Sequence, residues 1–157
     1  MEIPVDDDLF RQSLENVARL LNEQEVPWLV FGGAAMVLYG LEKGPVADID
    51  VIISATAAAR LSEAFSWHNH ADGRSARFRS DYLLRPNLGP VPVELLGGFC
   101  ISTASGWAEI SVGETRAHRV GSEVVFLPTP QGLAALFRLC GREKDHRRAG
   151  LIESAVL

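Results

Sequence analysis

Asp48 and Asp50 stand two residues apart at the head of an apolar run, Asp48-Ile49-Asp50-Val51-Ile52-Ile53. Side chains alternate along a strand, so the two carboxylates project from one face and converge on one point. Ile49, Val51 and Ile53 would fill the opposite face, so this is charge inserted at the end of a buried strand and not a solvated acidic patch. Such placement costs several kcal/mol unless a cation compensates. Paired carboxylates in oxygen-only surroundings suit Mg²⁺, which combines a few carboxylates with substrate phosphates. Glu94 is a third acid, interrupting the apolar segment Val91-Pro92-Val93-Glu94-Leu95-Leu96. Pro92 leaves open an edge strand with Glu94 facing water. Three gathered carboxylates repel one another and raise their own pKa values, so their joint occurrence points to a bound divalent metal.

Upstream, Gly32-Gly33 closes the apolar run 28–31. Without Cβ atoms, the pair would let phosphate oxygens reach backbone N–H groups at the start of the next helix, where the dipole favours negative charge. A tight turn is the other reading of the same pair. Neither Lys-Ser nor Lys-Thr follows, and Gly-x-Gly-x-x-Gly is absent, which excludes the P-loop and dinucleotide-binding patterns. Lys43, in the loop before the acids, has two readings, a solvated surface lysine or a side chain that reaches a bound triphosphate. The run Arg138, Arg142, Lys144, Arg147 and Arg148 is the one local excess of positive charge. A solvated helix face is one reading of it. In the sharper reading Arg142 and Lys144 contact a triphosphate or an acceptor, with Asp145 orienting one of them. His68 and His70 lack carboxylate or cysteine partners at ligand spacing, so no metal site is read there. Phe99 and Trp107 are read as packing residues, and Cys100 and Cys140 as reduced structural thiols.

The elements that must position these residues follow from periodicity. Asp6 to Asp8 can cap a helix running to about residue 24, with Leu9, Leu14, Val17, Leu20 and Leu21 at helical spacing. Pro27 ends that pattern, and residues 28–31 read as a short buried strand. A buried helix over 34–41, a loop forced by Lys43-Gly44-Pro45, a strand over 48–53 and a helix over 55–65 come next. Further strands are expected over 76–84, 91–96, 108–112, 115–120 and 124–127. Pro130 opens a helix to about Gly141, and a last helix from about Lys144 turns Leu151 and Ile152 inward. Helix and strand alternate first and antiparallel strands follow, which argues for an α+β fold.

With 157 residues, of which 47% are hydrophobic, the chain suits one domain spanning 1–157. Its net charge of -5 opposes general binding to a nucleic-acid backbone. The acidic N-terminus does not suit a secretory signal, and no apolar run approaches the ~18 residues of a membrane span. The expected setting is soluble and cytoplasmic, with no membrane contact.

Gly32-Gly33, Asp48-Ile49-Asp50 after a short helix and loop, and Glu94 in an apolar strand together resemble the nucleotidyltransferases of the DNA polymerase beta superfamily, in particular their minimal bacterial members. Gly141-Arg142-Glu143-Lys144-Asp145 is similar to the Arg-x-Lys-Asp segment of lincosamide and abortive-infection toxin nucleotidyltransferases. The resemblance implies a mixed β-sheet flanked by helices, with a nucleoside triphosphate against the glycine turn and two Mg²⁺ ions on Asp48, Asp50 and Glu94. It implies transfer of a nucleoside monophosphate from a triphosphate to an acceptor hydroxyl on a small molecule, protein or RNA end. The alternative is a degenerate relative that binds a nucleotide or partner, as in a toxin–antitoxin pair; a homodimer or a small partner protein fits either. Relatives often carry Arg and Thr at positions matching Gly44 and Val46, serine at Ala34, and a further Asp at Arg148; this chain departs from all four.

Overall fold

The computed structural model describes residues 2–155, so Met1, Val156 and Leu157 of the expected 1–157 unit lie outside the described residues. Asp7 caps the first helix, α1 (Asp8–Glu23), by accepting hydrogen bonds from the backbone N–H groups of Leu9 and Phe10. One face of α1 buries Phe10, Leu14, Val17, Ala18 and Leu21 completely. Each large side chain removed from water this way contributes roughly 1.5–3 kcal/mol. Next come β1 (Leu29–Phe31), α2 (Gly32–Leu38), β2 (Ile49–Ile53) and α3 (Ala55–Phe65), the last capped by the Ser54 hydroxyl accepting from the Ala57 N–H. Strands β3 (Phe78–Arg79), β4 (Tyr82–Leu84), β5 (Val93–Gly97), β6 (Cys100–Thr103), β7 (Gly106–Glu109), β8 (Thr115–Val120) and β9 (Glu123–Pro128) precede α4 (Pro130–Cys140) and α5 (Glu143–Ser154). The result is an α+β fold with a mixed sheet flanked by helices.

The central sheet has the order β1-β2-β5-β4. Its middle pair, β2 and β5, runs parallel, and the register sets Asp50 directly opposite Glu94. Antiparallel β1 sets Phe31 opposite Asp50 from the other side. Because β5 lies between β2 and β4, Glu94 is on an interior strand and the edge reading suggested by Pro92 fails. Two smaller sheets, β3-β6-β7 and β8-β9, complete the strands. Trp28 is buried, with its Nε1–H donating to Asn22 Oδ1 at 2.8 Å and Phe126 edge-on to its ring. No helix among the described residues is long and apolar enough to cross a membrane.

Several expectations need correction. The single strand expected over 76–84 is two short strands in different sheets, since β3 pairs with β6 and β4 with β5. Asn69 holds the break: its Nδ2 donates to Asp81 O and its Oδ1 accepts from Leu83 N. The strand expected over 108–112 lies earlier, at Gly106–Glu109, because it hairpins onto β6, which the alternation pattern did not reveal. The helix expected over 34–41 begins at Gly32 and ends at Leu38. On α5 the register turns Ala149 and Ile152 inward and leaves Leu151 43% exposed.

His118 on β8 is buried, edge-on to the Tyr39 ring, and neither ring nitrogen has a hydrogen-bond partner. Burial, aided by the charge of Arg116, holds its pKa below the ordinary value. A histidine with a depressed folded pKa favours the fold above its ordinary 6.5 and penalises it as pH falls, since the unfolded chain then binds the extra proton. His118→Leu should raise stability at pH 7 by about 1–3 kcal/mol, the cost of orphaned polar atoms. Urea unfolding at pH 7.5 and 5.5 should also show the variant losing less stability on acidification than the parent chain does.

Candidate functional site

Asp48 immediately precedes β2, and the Ile49 N–H donates to Pro92 O at 2.8 Å, tying the head of β2 to the start of β5. That tie and the parallel register bring Asp48, Asp50 and Glu94 together, each offering a carboxylate oxygen within 4.8 Å of the others. Asp48 is exposed; Asp50 and Glu94 are partly buried. Burial first, then the charges of Asp48 and Glu94, push the Asp50 pKa up to about 7, against the opposing pull of Lys144 and Arg142. Burial and Glu94 likewise raise Asp48, with Lys144 opposing. Glu94 has one partner, Arg85, whose Nε donates to Oε2 at 2.9 Å. A trio that leaves one carboxyl half-protonated near neutrality is short of positive charge. Its oxygen-only donors fit a divalent cation, which would relieve the repulsion directly.

The glycine pair borders this trio, and its two missing Cβ atoms face different partners. Gly32 adopts φ +67°, and a Cβ there would lie 3.2 Å from Asp50 Oδ2. A Cβ on Gly33 would lie 3.2 Å from Arg148 Nη2. Both glycines line a cavity of about 430 Å³ that Asp48 and Asp50 close at one end. Lys43, Arg142, Lys144 and Arg148 line it as well. On the other side of Asp48 lies a second groove, bounded by Glu94, Arg85 and Asn87. Asp48 belongs to both concavities, so the acids stand at their junction.

The candidate site residues read from the sequence border two adjoining concavities: Gly32, Gly33, Lys43, Asp48, Asp50, Arg142 and Lys144 line the cavity, and Glu94 lines the groove that shares Asp48 with it. Asp145 does orient Arg142. Arg142 donates through Nε and Nη2 to the two carboxylate oxygens at 2.7 and 3.1 Å, and its backbone N–H joins them at 3.1 Å. Burial pulls the Asp145 carboxyl upward, but these hydrogen bonds outweigh it and hold its pKa below the ordinary value. The Arg142 guanidinium also lies 4.8 Å over the Phe78 ring.

The basic run divides. Arg138 pairs with Glu153 and Arg147 is exposed, as a solvated face requires. Arg148, counted with them in the sequence, instead enters the cavity and pairs with Glu42, with its side chain only 18% exposed. A signal for it existed: Lys144 and Arg148 are four residues apart and share a helix face. Phe99 is buried between Phe31 and Phe78, as a packing residue. His68 and His70 contact each other in a loop, and neither joins a group able to hold metal among the described residues.

The sequence matches no protein-family model and no curated protein. Solved structures do match. A candidate nucleotidyltransferase of Thermotoga maritima superposes with a TM-score of 0.61 at 18% identity, over 88% of this chain and 89% of that one. The lincosamide antibiotic adenylyltransferase LnuA, with lincomycin bound, gives 0.54 at 15% identity over 99% and 100%. The antibiotic-resistance factor ANT(2'')-Ia gives 0.54 at 11% identity over 90% and 81%. The chain has the nucleotidyltransferase fold. Within that fold, Asp50 and Glu94 lie on the two central strands, Asp48 just before the first of them, and the glycine pair at the first turn of α2.

The raised Asp50 pKa has a measurable sign. Between the ordinary 3.8 and about 7 the folded chain binds a proton that the unfolded chain has released, so stability falls as pH rises through this window. In EDTA, urea unfolding from pH 4 to 8 should show that decline, and Asp50→Asn should flatten it. An equal slope in the variant would place the charge penalty elsewhere.

Proposed function

We propose that this chain, acting as a single nucleotidyltransferase unit, moves a nucleoside monophosphate from a triphosphate to an acceptor hydroxyl and releases pyrophosphate. The observation that carries the reading is the convergence of Asp48, Asp50 and Glu94, the first two of which line a cavity that also carries four cationic side chains, Lys43, Arg142, Lys144 and Arg148, beside the single further acid Glu42. Few reactions need a carboxylate trio and a polyphosphate-sized cationic cavity side by side.

Asp48, Asp50 and Glu94 would hold Mg²⁺, and two bound ions would supply Lewis-acid activation of the hydroxyl and neutralise charge on the departing pyrophosphate. The rest is positioning by the chain itself. Gly32 and Gly33, lacking Cβ atoms, let the first turn of α2 lie close to Asp50 and Arg148 and offer backbone to the polyphosphate between them. Arg142, locked on Asp145, and Lys144 supply preorganised positive charge to it. On the groove side, Arg85 engages Glu94 Oε2 and leaves Oε1 to accept the proton of an acceptor hydroxyl seated there. Acceptor and triphosphate then approach from opposite sides of Asp48, the arrangement that in-line displacement at phosphorus requires. A cytoplasmic setting agrees with this chemistry.

A binding module without catalysis is the second reading. It is favoured by the loop before the acids, where Lys43 is the only cation and Gly44 and Val46 add no polar side chain. The two separate by experiment. Incubation with each α-labelled triphosphate, Mg²⁺ and cell extract should place label on an acceptor, and Asp48→Asn with Asp50→Asn should abolish both transfer and the rise in Tm caused by Mg²⁺ and triphosphate. A Tm rise without transfer supports the binding module. An undiminished rise in the double variant rejects the metal assignment.

A further inference from the structure

Arg148 has a role that its place in a basic helix run conceals. Its Nε donates to Glu42 Oε1 at 2.7 Å and its Nη2 to Glu42 Oε2 at 3.3 Å, so one edge of the guanidinium is fixed side-on. The ring of Phe137 supports the group, with Cζ 5.6 Å from the ring centroid. The opposite edge, Nη1 and the second hydrogen of Nη2, makes no further hydrogen bond among the described residues. That edge lies in the cavity against Gly33, where Nη2 occupies the space next to the missing Cβ. The pair joins α5 to the loop just before Lys43 and so spans the cavity from one wall to the other.

The surroundings say which anion belongs there. With only seven residues, α2 has too few aligned peptides to hold a phosphate by its dipole alone, so the positive charge must come from side chains. Arg142 spends its Nε and Nη2 on Asp145, and with Lys144 it already draws down the pKa of Asp50. Arg148 is not among the charges acting on the acids.

We propose that Arg148, held by Glu42 on one edge of its guanidinium, binds with the other edge the polyphosphate that passes over Gly33, so that it selects triphosphates over monophosphates. Glu42 is the positioning residue. The inference rests on the transferase reading of the cavity, but binding alone tests it.

The probes are ATP, inorganic triphosphate and AMP, each titrated calorimetrically with Mg²⁺ present. Arg148→Gln should weaken ATP and inorganic triphosphate by about tenfold or more, the loss of one charge-assisted contact, and AMP by less than about twofold. Arg148→Lys, which keeps the charge and also serves if the glutamine variant fails to fold, should recover only part of the loss, because a compact ammonium lacks the planar fork that holds Glu42 side-on while presenting a second edge to the phosphate. An unchanged ATP affinity in Arg148→Gln, an equal loss for AMP, or full recovery by lysine would each overturn the assignment. If the parent chain binds neither ATP nor inorganic triphosphate, the transferase reading itself falls and takes this one with it.

Discussion

Mutual repulsion among Asp48, Asp50 and Glu94 is the constraint around which the rest of the molecule is arranged. Three carboxylates within 4.8 Å of one another would ordinarily separate or take up a proton, and Asp50 shows the strain in a pKa near 7. They cannot separate, because the backbone hydrogen bonds of a parallel strand pair set Asp50 opposite Glu94 and hydrophobic side chains bury both strands. The apolar core therefore supplies the free energy that keeps like charges together. The fold brings compensating positive charge from α5 in Arg142 and Lys144, and the three carboxylates are grouped closely enough that they could hold a metal ion.

The glycine pair takes a different meaning once the structure is seen. Removing two Cβ atoms would serve equally for a turn or for a phosphate cradle. Here the vacancy at Gly32 faces the Asp50 carboxylate and that at Gly33 faces the Arg148 guanidinium. The pair makes room for the negative and positive poles of the site at adjacent positions.

Two ion pairs anchored on α5 fix the cationic wall, and they are not equivalent. Arg142 and Asp145 lie three residues apart on one helix, and their contact closes the first turn of α5 as a cap. Arg148 and Glu42 are 106 residues apart. Their contact exists only when the C-terminal helix has packed against the loop that leads to the acids. Cavity shape thus depends on complete folding, since the loop and the helix each contribute half of a charged contact.

The sequence by itself determined the local features. Period-2 placement put Asp48 and Asp50 on one face, the Asp7 region signalled the start of α1, Pro130 opened α4, and Asp145 was legible as the partner of Arg142 or Lys144, between which the structure chose Arg142. Each rests on interactions within a few residues, where spacing alone fixes geometry. The α+β class was readable for the same reason. Only the tertiary structure decided that Glu94 sits on an interior strand, that residues 76–84 split between two sheets, that Arg148 leaves the solvated run for the cavity, and that Leu151 faces water beside a buried Ile152. These depend on strand pairing and helix rotation, which long-range packing settles. A glutamate in an apolar run and an arginine among arginines look alike in sequence whether they face solvent or a site. What distinguishes them is the neighbour that the fold brings to each, Asp50 to Glu94 and Glu42 to Arg148.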